Sequence, residues 1–211
     1  MGKEYLNGIK EAVIKGKHRE IEDMVSALIE KKANLKQLID EGMIAAMDVV
    51  GKKFASHEIF VPEMLVSALT MQKGLDLIKP LLKPEDTESK GTIVMCTVKG
   101  DIHDIGKNLV IMMLEGAGFR VIDLGVDLSV DQLIARIKEI DPDILGLSAL
   151  LTTSMPQMEK VIDALDAEGL RKTLKVMVGG APVDRKFADA IGADGYGEDA
   201  AEAVILARRF V

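Results

Sequence analysis

Apolar positions recur every three to four residues from Lys3 to about Leu82, and the pattern then changes to short apolar runs alternating with amphipathic stretches. The first pattern predicts four amphipathic helices, near 3–15, 18–31, 35–53 and 62–82, with Asn34 as an N-cap and Pro62 at a first helical position. Four such helices with short connections form an antiparallel bundle. The second pattern predicts strands near 92–98, 119–124, 143–149, 173–179 and 193–196, with helices between them and a last helix near 199–209. Such alternation belongs to a parallel sheet covered on both faces. The expected fold class is α/β: an N-terminal four-helix bundle cap followed by a flavodoxin-like, doubly wound five-stranded parallel sheet of order 2-1-3-4-5. The polar, turn-rich run 84–91 reads as a linker between a cap domain, 1–83, and an α/β domain, 92–211.

Composition narrows the function classes. The chain has 211 residues, a net charge of −7 and no basic run, which argues against a nucleic-acid or anionic-membrane surface. Its apolar stretches are strand-sized, so no membrane span or signal peptide is expected. One cysteine, Cys96, sits mid-strand; this excludes an internal disulfide and fits a reduced cytoplasm. Three scattered histidines and one cysteine do not make a four-ligand zinc site. His18 and His57 read as solvated side chains, and the 12 methionines as core filler.

Chemistry concentrates after the first strand, in Asp101-Ile102-His103-Asp104-Ile105-Gly106. Open α/β sheets bind ligands at this carboxyl edge. An imidazole here reaches a metal, and a neighbouring carboxylate holds its second ring nitrogen. The plainer reading, turn and cap hydrogen bonds by the two aspartates beside an exposed histidine, stays open at this point. The loop fails as a P-loop: Gly100 and Gly106 enclose five residues where four are needed, and Asn108 replaces the Ser or Thr that holds magnesium. Gly116-Ala117-Gly118 precedes a strand and so fails as a dinucleotide fingerprint. Ser148 and the pair Gly179-Gly180 end the third and fourth strands. A hydroxyl and a backbone without Cβ suit a bulky ligand there, although each alone is also an ordinary turn.

Together, Asp-x-His-x-x-Gly, Ser-x-Leu and Gly-Gly resemble the cobalamin-binding domain of methionine synthase and of corrinoid methyl-carrier proteins. The 41 residues between Gly106 and Ser148 and the 28 between Leu150 and Gly179 suit that family. The resemblance implies a cobamide cofactor, with His103 as the lower cobalt ligand and Asp101 and Ser154 as its relay. It also implies Gly106 as part of the cofactor loop, and Ser148, Leu150, Gly179 and Gly180 as the lining of the slot for the cobamide's tail. The segments 47–54 and 59–64 are similar to the family's cap, with Phe54 and Val61 at the positions that cover the upper face of the corrin; Val61 stands where the family has Leu. Architecture and the run 148–155 look most like the small corrinoid proteins of methanogens and acetogens. The implied function is a carrier that takes a methyl group on Co(I) from a donor-specific methyltransferase. It would then deliver the group from methyl-Co(III) to a second methyltransferase using tetrahydrofolate or coenzyme M. A reductive activating protein would be a third partner, and the chain would not turn over alone. Donor and lower base stay open. Alternatives are the cobalamin subunit of an adenosylcobalamin-dependent mutase, a cobalamin-based regulator, and a response-regulator receiver, which would need an Asp where Ser148 and Ala149 stand.

Overall fold

The computed structural model describes residues 2–82 and 89–211, with side chains from Glu4 onward. Residues 84–88 of the expected linker lie outside the described residues. The chain forms two compact units, one carrying the helices through Leu81 and the other the sheet.

The helical unit contains α1 (Gly2–Ile14), α2 (His18–Glu30), a helical rod over 35–55 and α5 (Val61–Ile78). The rod starts where the Asn34 side chain accepts from Gln37 N at 3.0 Å, the expected N-cap. It is not uniform: α3 (Leu35–Gln37) passes through a π-helical stretch, Leu38–Ile44, into α4 (Ala45–Ala55). Gly42 lies in that stretch, and a Cβ there would stand 3.1 Å from Ile9 Cγ2, so the glycine admits α1 at close range. Pro62 occupies the second helical position, after Val61, and Phe60 N is capped by Glu63 Oε2 at 3.1 Å. Regular α-helix ends earlier than expected, at Ile78. The turn Lys79–Leu81 is 3₁₀, in keeping with Pro80, which has no N–H to continue the ladder. Ile9, Ile21, Val25, Met43, Met64 and Met71 are buried at the core of this unit. His18 departs from expectation. Its Nδ1 lies 2.8 Å from the hydroxyl of fully buried Thr70, which itself donates to Val66 O at 2.7 Å. The hydroxyl's proton is thus used, and His18 must donate.

The second unit is a five-stranded all-parallel sheet of order β2-β1-β3-β4-β5, as the alternation predicts. The strands are β1 (Thr92–Thr97), β2 (Arg120–Asp123), β3 (Ile144–Ser148), β4 (Lys175–Gly179) and β5 (Gly195–Gly197). The connecting helices are α6 (Ile105–Gly116), α7 (Val130–Ile140), α8 (Pro156–Ala167) and α9 (Arg185–Ala190), and α10 (Ala200–Phe210) follows β5. β1 and β3 are buried on both faces, which is why they read as continuous apolar runs. Val94, Cys96, Leu145, Leu147, Val176 and Val178 pack with Leu133, Ile137, Met158 and Val161 of α7 and α8. On β5, a Cβ at Gly195 would come within 3.0 Å of Leu206 and 3.1 Å of Phe210, so the glycine lets α10 close on the sheet. In register, Thr97, Ser148, Gly179 and Gly197 form one row across the carboxyl edge of β1, β3, β4 and β5.

Candidate functional site: a histidine held by a buried carboxylate

Two loops leave that row side by side, one after β1 and one after β3, and the Asp101 side chain joins them. Asp101 is 1% exposed. Its Oδ1 accepts from His103 N at 3.1 Å and stands 2.7 Å from His103 Nδ1. Its Oδ2 accepts from Leu150 N at 2.7 Å, Leu151 N at 3.1 Å and Ser154 Oγ at 2.8 Å. Ser154 Oγ is equally 2.8 Å from Leu151 O, so its one proton serves one acceptor at a time. Burial by itself raises the Asp101 carboxyl. The bonds from Leu150 N, from the His103 ring and backbone and from Ser154 outweigh it and hold the group well below the usual carboxylate range. A carboxylate only accepts, so the imidazole proton sits on Nδ1 and the lone pair on Nε2. Among the described residues Nε2 meets no hydrogen-bond partner, and the His103 side chain is 48% exposed.

Exposed apolar side chains surround the histidine in sequence and across the Asp101 bridge: Ile102 (74%), Ile105 (86%), Leu150 (45%) and Leu151 (39%). Large exposed apolar groups grouped around a polar centre mark ligand sites. Gly106 lies in the first turn of α6, and a Cβ there would meet nothing within 4 Å. Ser148 is half-buried, and among the described residues its hydroxyl makes no hydrogen bond. Gly179 and Gly180 are required by the chain's own backbone. A Cβ on Gly179 would stand 2.9 Å from Gly197 O; on Gly180, at φ 129°, it would stand 1.9 Å from Ala149 O. Glycine is therefore needed here before any ligand is considered, and replacing Gly180 would strain the turn whatever else binds.

The structure thus brings Asp101, His103, Leu150 and Ser154 into one network and sets Ser148 beside Gly179. Phe54 and Val61 belong to the helical unit: Phe54 is half-buried near the end of α4, and Val61 is 44% exposed at the start of α5. The sequence reading passed over Phe60, 64% exposed beside Val61, and three polar groups of the sheet unit. Buried Thr97 donates to His103 O at 2.9 Å. Lys107, 3% exposed, pairs with Asp123 and donates to Gly125 O at 3.2 Å. Asp127 binds the His103 loop from the side. A threonine closing an apolar strand and a lysine on an apolar helix were the available signals for the first two. Among the described residues no three His, Cys, Asp or Glu side chains gather to hold a metal, and no helix is long and apolar enough to cross a membrane.

Comparison with known proteins agrees over the whole length. Residues 91–205 match the B12 binding domain, and residues 5–79 match a second B12 binding domain family. The dimethylamine corrinoid protein 1 of Methanosarcina acetivorans is 43% identical over 193 residues, 90% of this chain and 91% of that protein. The structure resembles a cobalamin-binding protein from Desulfitobacterium hafniense, with TM-score 0.82, 36% identity and 98% coverage of each chain. It also resembles a chain of the methanol:cobalamin methyltransferase complex of Methanosarcina barkeri, with TM-score 0.86 and 31% identity over 99% of this chain and 80% of that one. The chain belongs to the B12-binding corrinoid proteins of methyltransferase systems, and its cofactor is a cobamide with its cobalt.

Proposed function

We propose that this protein is a methyl carrier that docks in turn with a donor-specific methyltransferase and with a second methyltransferase using tetrahydrofolate or coenzyme M. A reductive activating protein restores it after oxidation. The observation that carries the reading is the His103 side chain, with Nδ1 held by a buried carboxylate and Nε2 free at the carboxyl edge of the sheet. One imidazole cannot by itself hold a bare ion, which takes three or four protein ligands. It suits a metal whose other positions are already filled by a macrocycle, so the donor set fits a corrinoid. When bound, the cofactor's cobalt supplies an atom that takes up and gives up a methyl group.

The chain's own residues do the rest. Asp101 keeps the proton on Nδ1 and so keeps Nε2 basic; the Ser154 hydroxyl holds Asp101 by donating to Oδ2. Ile102, Ile105 and Leu150 give the histidine an apolar surround, and Gly106 leaves room at the start of α6. Ser148 offers a free hydroxyl at the edge, with Gly179 and Gly180 lining the adjoining slot. Phe54 and Val61, in the helical unit, are assigned the cap role by their resemblance to the family's cap positions. Support for a methyltransferase partner comes from the relative in the methanol:cobalamin complex. Relatives named for dimethylamine and for methanol leave the donor open between these classes. The same relatives favour the carrier over a mutase subunit or a regulator.

The test uses the full chain loaded with methylcobalamin. His103→Ala removes a half-exposed side chain together with its hydrogen bond to the buried Asp101 carboxylate, which costs roughly 1.5–3 kcal/mol and should still leave the protein folded. Its visible spectrum should shift from an imidazole-ligated to a water-ligated form; coincident spectra would refute the ligand assignment. Wild-type protein with donor and acceptor but no partner enzyme should show no multiple turnover. Many turnovers by the isolated chain would overturn the carrier reading.

A further inference from the structure

The loop that presents His103 is braced from outside by the turn after β2, and Asp127 makes two of the contacts. Asp127 Oδ1 accepts from Gly100 N at 2.8 Å, and Asp127 N donates to Asp101 O at 3.0 Å. The neighbouring Lys99 ammonium lies 3.0 Å from the same carboxylate. Asp127 therefore fixes the peptide groups on both sides of the Gly100–Asp101 link, two residues before the histidine. It does so with φ at 57°, in the left-handed region, where a non-glycine residue is uncommon and Asp and Asn are the enriched exceptions. That conformation turns its N–H and its carboxylate toward the same stretch of chain. The turn is anchored at its other end, where Gly125 O receives Thr97 N at 3.0 Å and the buried Lys107 ammonium at 3.2 Å. Thr97 Oγ1 then closes the circuit on His103 O at 2.9 Å.

We infer that Asp127 is a positioning residue: by pinning Gly100 and Asp101 it sets the loop geometry in which His103 presents Nε2 to the cofactor. The inference rests on the reading of His103 as the cobalt ligand. A free loop would let the Asp101–His103 pair sample orientations in which Nε2 points elsewhere, and a supporting group left loose degrades a site whose ligand is itself intact. Asp127 is exposed enough to be replaced without opening the core.

Two substitutions separate bracing from mere turn formation. Asp127→Gly keeps the left-handed conformation at no steric cost but removes the acceptor for Gly100 N. Asp127→Asn keeps both the conformation and a side-chain oxygen. Full-length protein is read in two ways: amide hydrogen exchange of residues 98–105 without cofactor, and the fraction of imidazole-ligated cobalt after loading with methylcobalamin. Asp127→Gly should exchange about tenfold faster in this segment and lose a large part of the imidazole-ligated form, with Asp127→Asn close to wild type. If Asp127→Gly matches wild type in both readings, Asp127 is only a turn residue and the inference falls. Faster exchange with an unchanged spectrum would also overturn it, since the brace would then not reach the histidine. His103→Ala, run alongside, separates the two layers. If its spectrum equals wild type, the ligand reading fails and takes the inference with it. If its spectrum differs, an unaltered Asp127→Gly spectrum refutes the positioning role alone.

Discussion

Replacing Asp101 by Asn changes one atom and should disturb both stability and ligation. An amide has one accepting oxygen where the carboxylate has two, and the surroundings decide where it goes. The Oδ2 side faces Leu150 N, Leu151 N and Ser154 Oγ, three donors of which two are backbone groups that cannot turn away. The amide oxygen therefore takes that side and its NH₂ faces His103. Three bonds to a charged acceptor become bonds to a neutral one. The first kind contributes roughly 1.5–3 kcal/mol and the second roughly 0.5–1.5, so the loss is about 1 kcal/mol per bond and at least about 3 kcal/mol in total, since His103 N also loses its acceptor. For a chain of this size that lowers Tm by roughly 6–12 °C. The imidazole must now accept at Nδ1, which moves its proton to Nε2 and removes the lone pair the metal needs. Asp101→Asn should thus lose most imidazole ligation, a harsher result than a simple change of basicity. Stability is best read by urea denaturation in a Tyr5→Phe background, where Tyr196 alone reports the sheet unit. The pH dependence has a definite sign. The folded Asp101 pKa lies below the ordinary 3.8, so the wild-type advantage is complete above that value and shrinks as pH falls below it. A difference under about 0.5 kcal/mol at pH 7, or one that grows toward acid, would refute the network's role. Retained ligation in the variant would refute the tautomer argument.

Further outcomes test the glycines and the thiol. Gly106→Ala adds a Cβ into open space and should leave the cofactor-free protein as stable as wild type or up to about 1 kcal/mol more so, while cobamide loading falls if the cofactor approaches there. Unchanged loading would remove Gly106 from the site. Gly180→Ala should instead cost at least about 2 kcal/mol without any cofactor, because its Cβ meets Ala149 O; a stable, well-expressed variant in urea titration would contradict the close approach. Burial pushes the Cys96 thiol up to about 12, with Lys107 opposing and Asp123 adding to it, so iodoacetamide at pH 8 should label it only as the sheet unit unfolds. Rapid stoichiometric labelling of the native protein would show that β1 is open.

Much of this protein was legible in order along the chain. Period-3.6 and strand-length apolar runs, with Gly and Pro punctuation, gave the helices, the five parallel strands and their order, because βαβ units admit few arrangements. The Asp101–His103 pair and its loop position were also legible, since two residues apart on a tight turn they meet by local geometry. Tertiary structure alone decided the rest. The contact of Asp101 with Leu150, Leu151 and Ser154 spans about fifty residues and exists because β1 and β3 are neighbours in the sheet. Lys107 with Gly125 and Asp127 with Gly100 are also contacts between separate segments, brought together because β2 lies beside β1. Gly179 and Gly180 looked like space for a ligand, yet their missing Cβ atoms are first explained by Gly197 O of β5 and Ala149 O just past β3. Periodicity specifies which face a residue occupies. Which buried polar group finds which partner depends on how separate strands are laid side by side, and no local pattern encodes that.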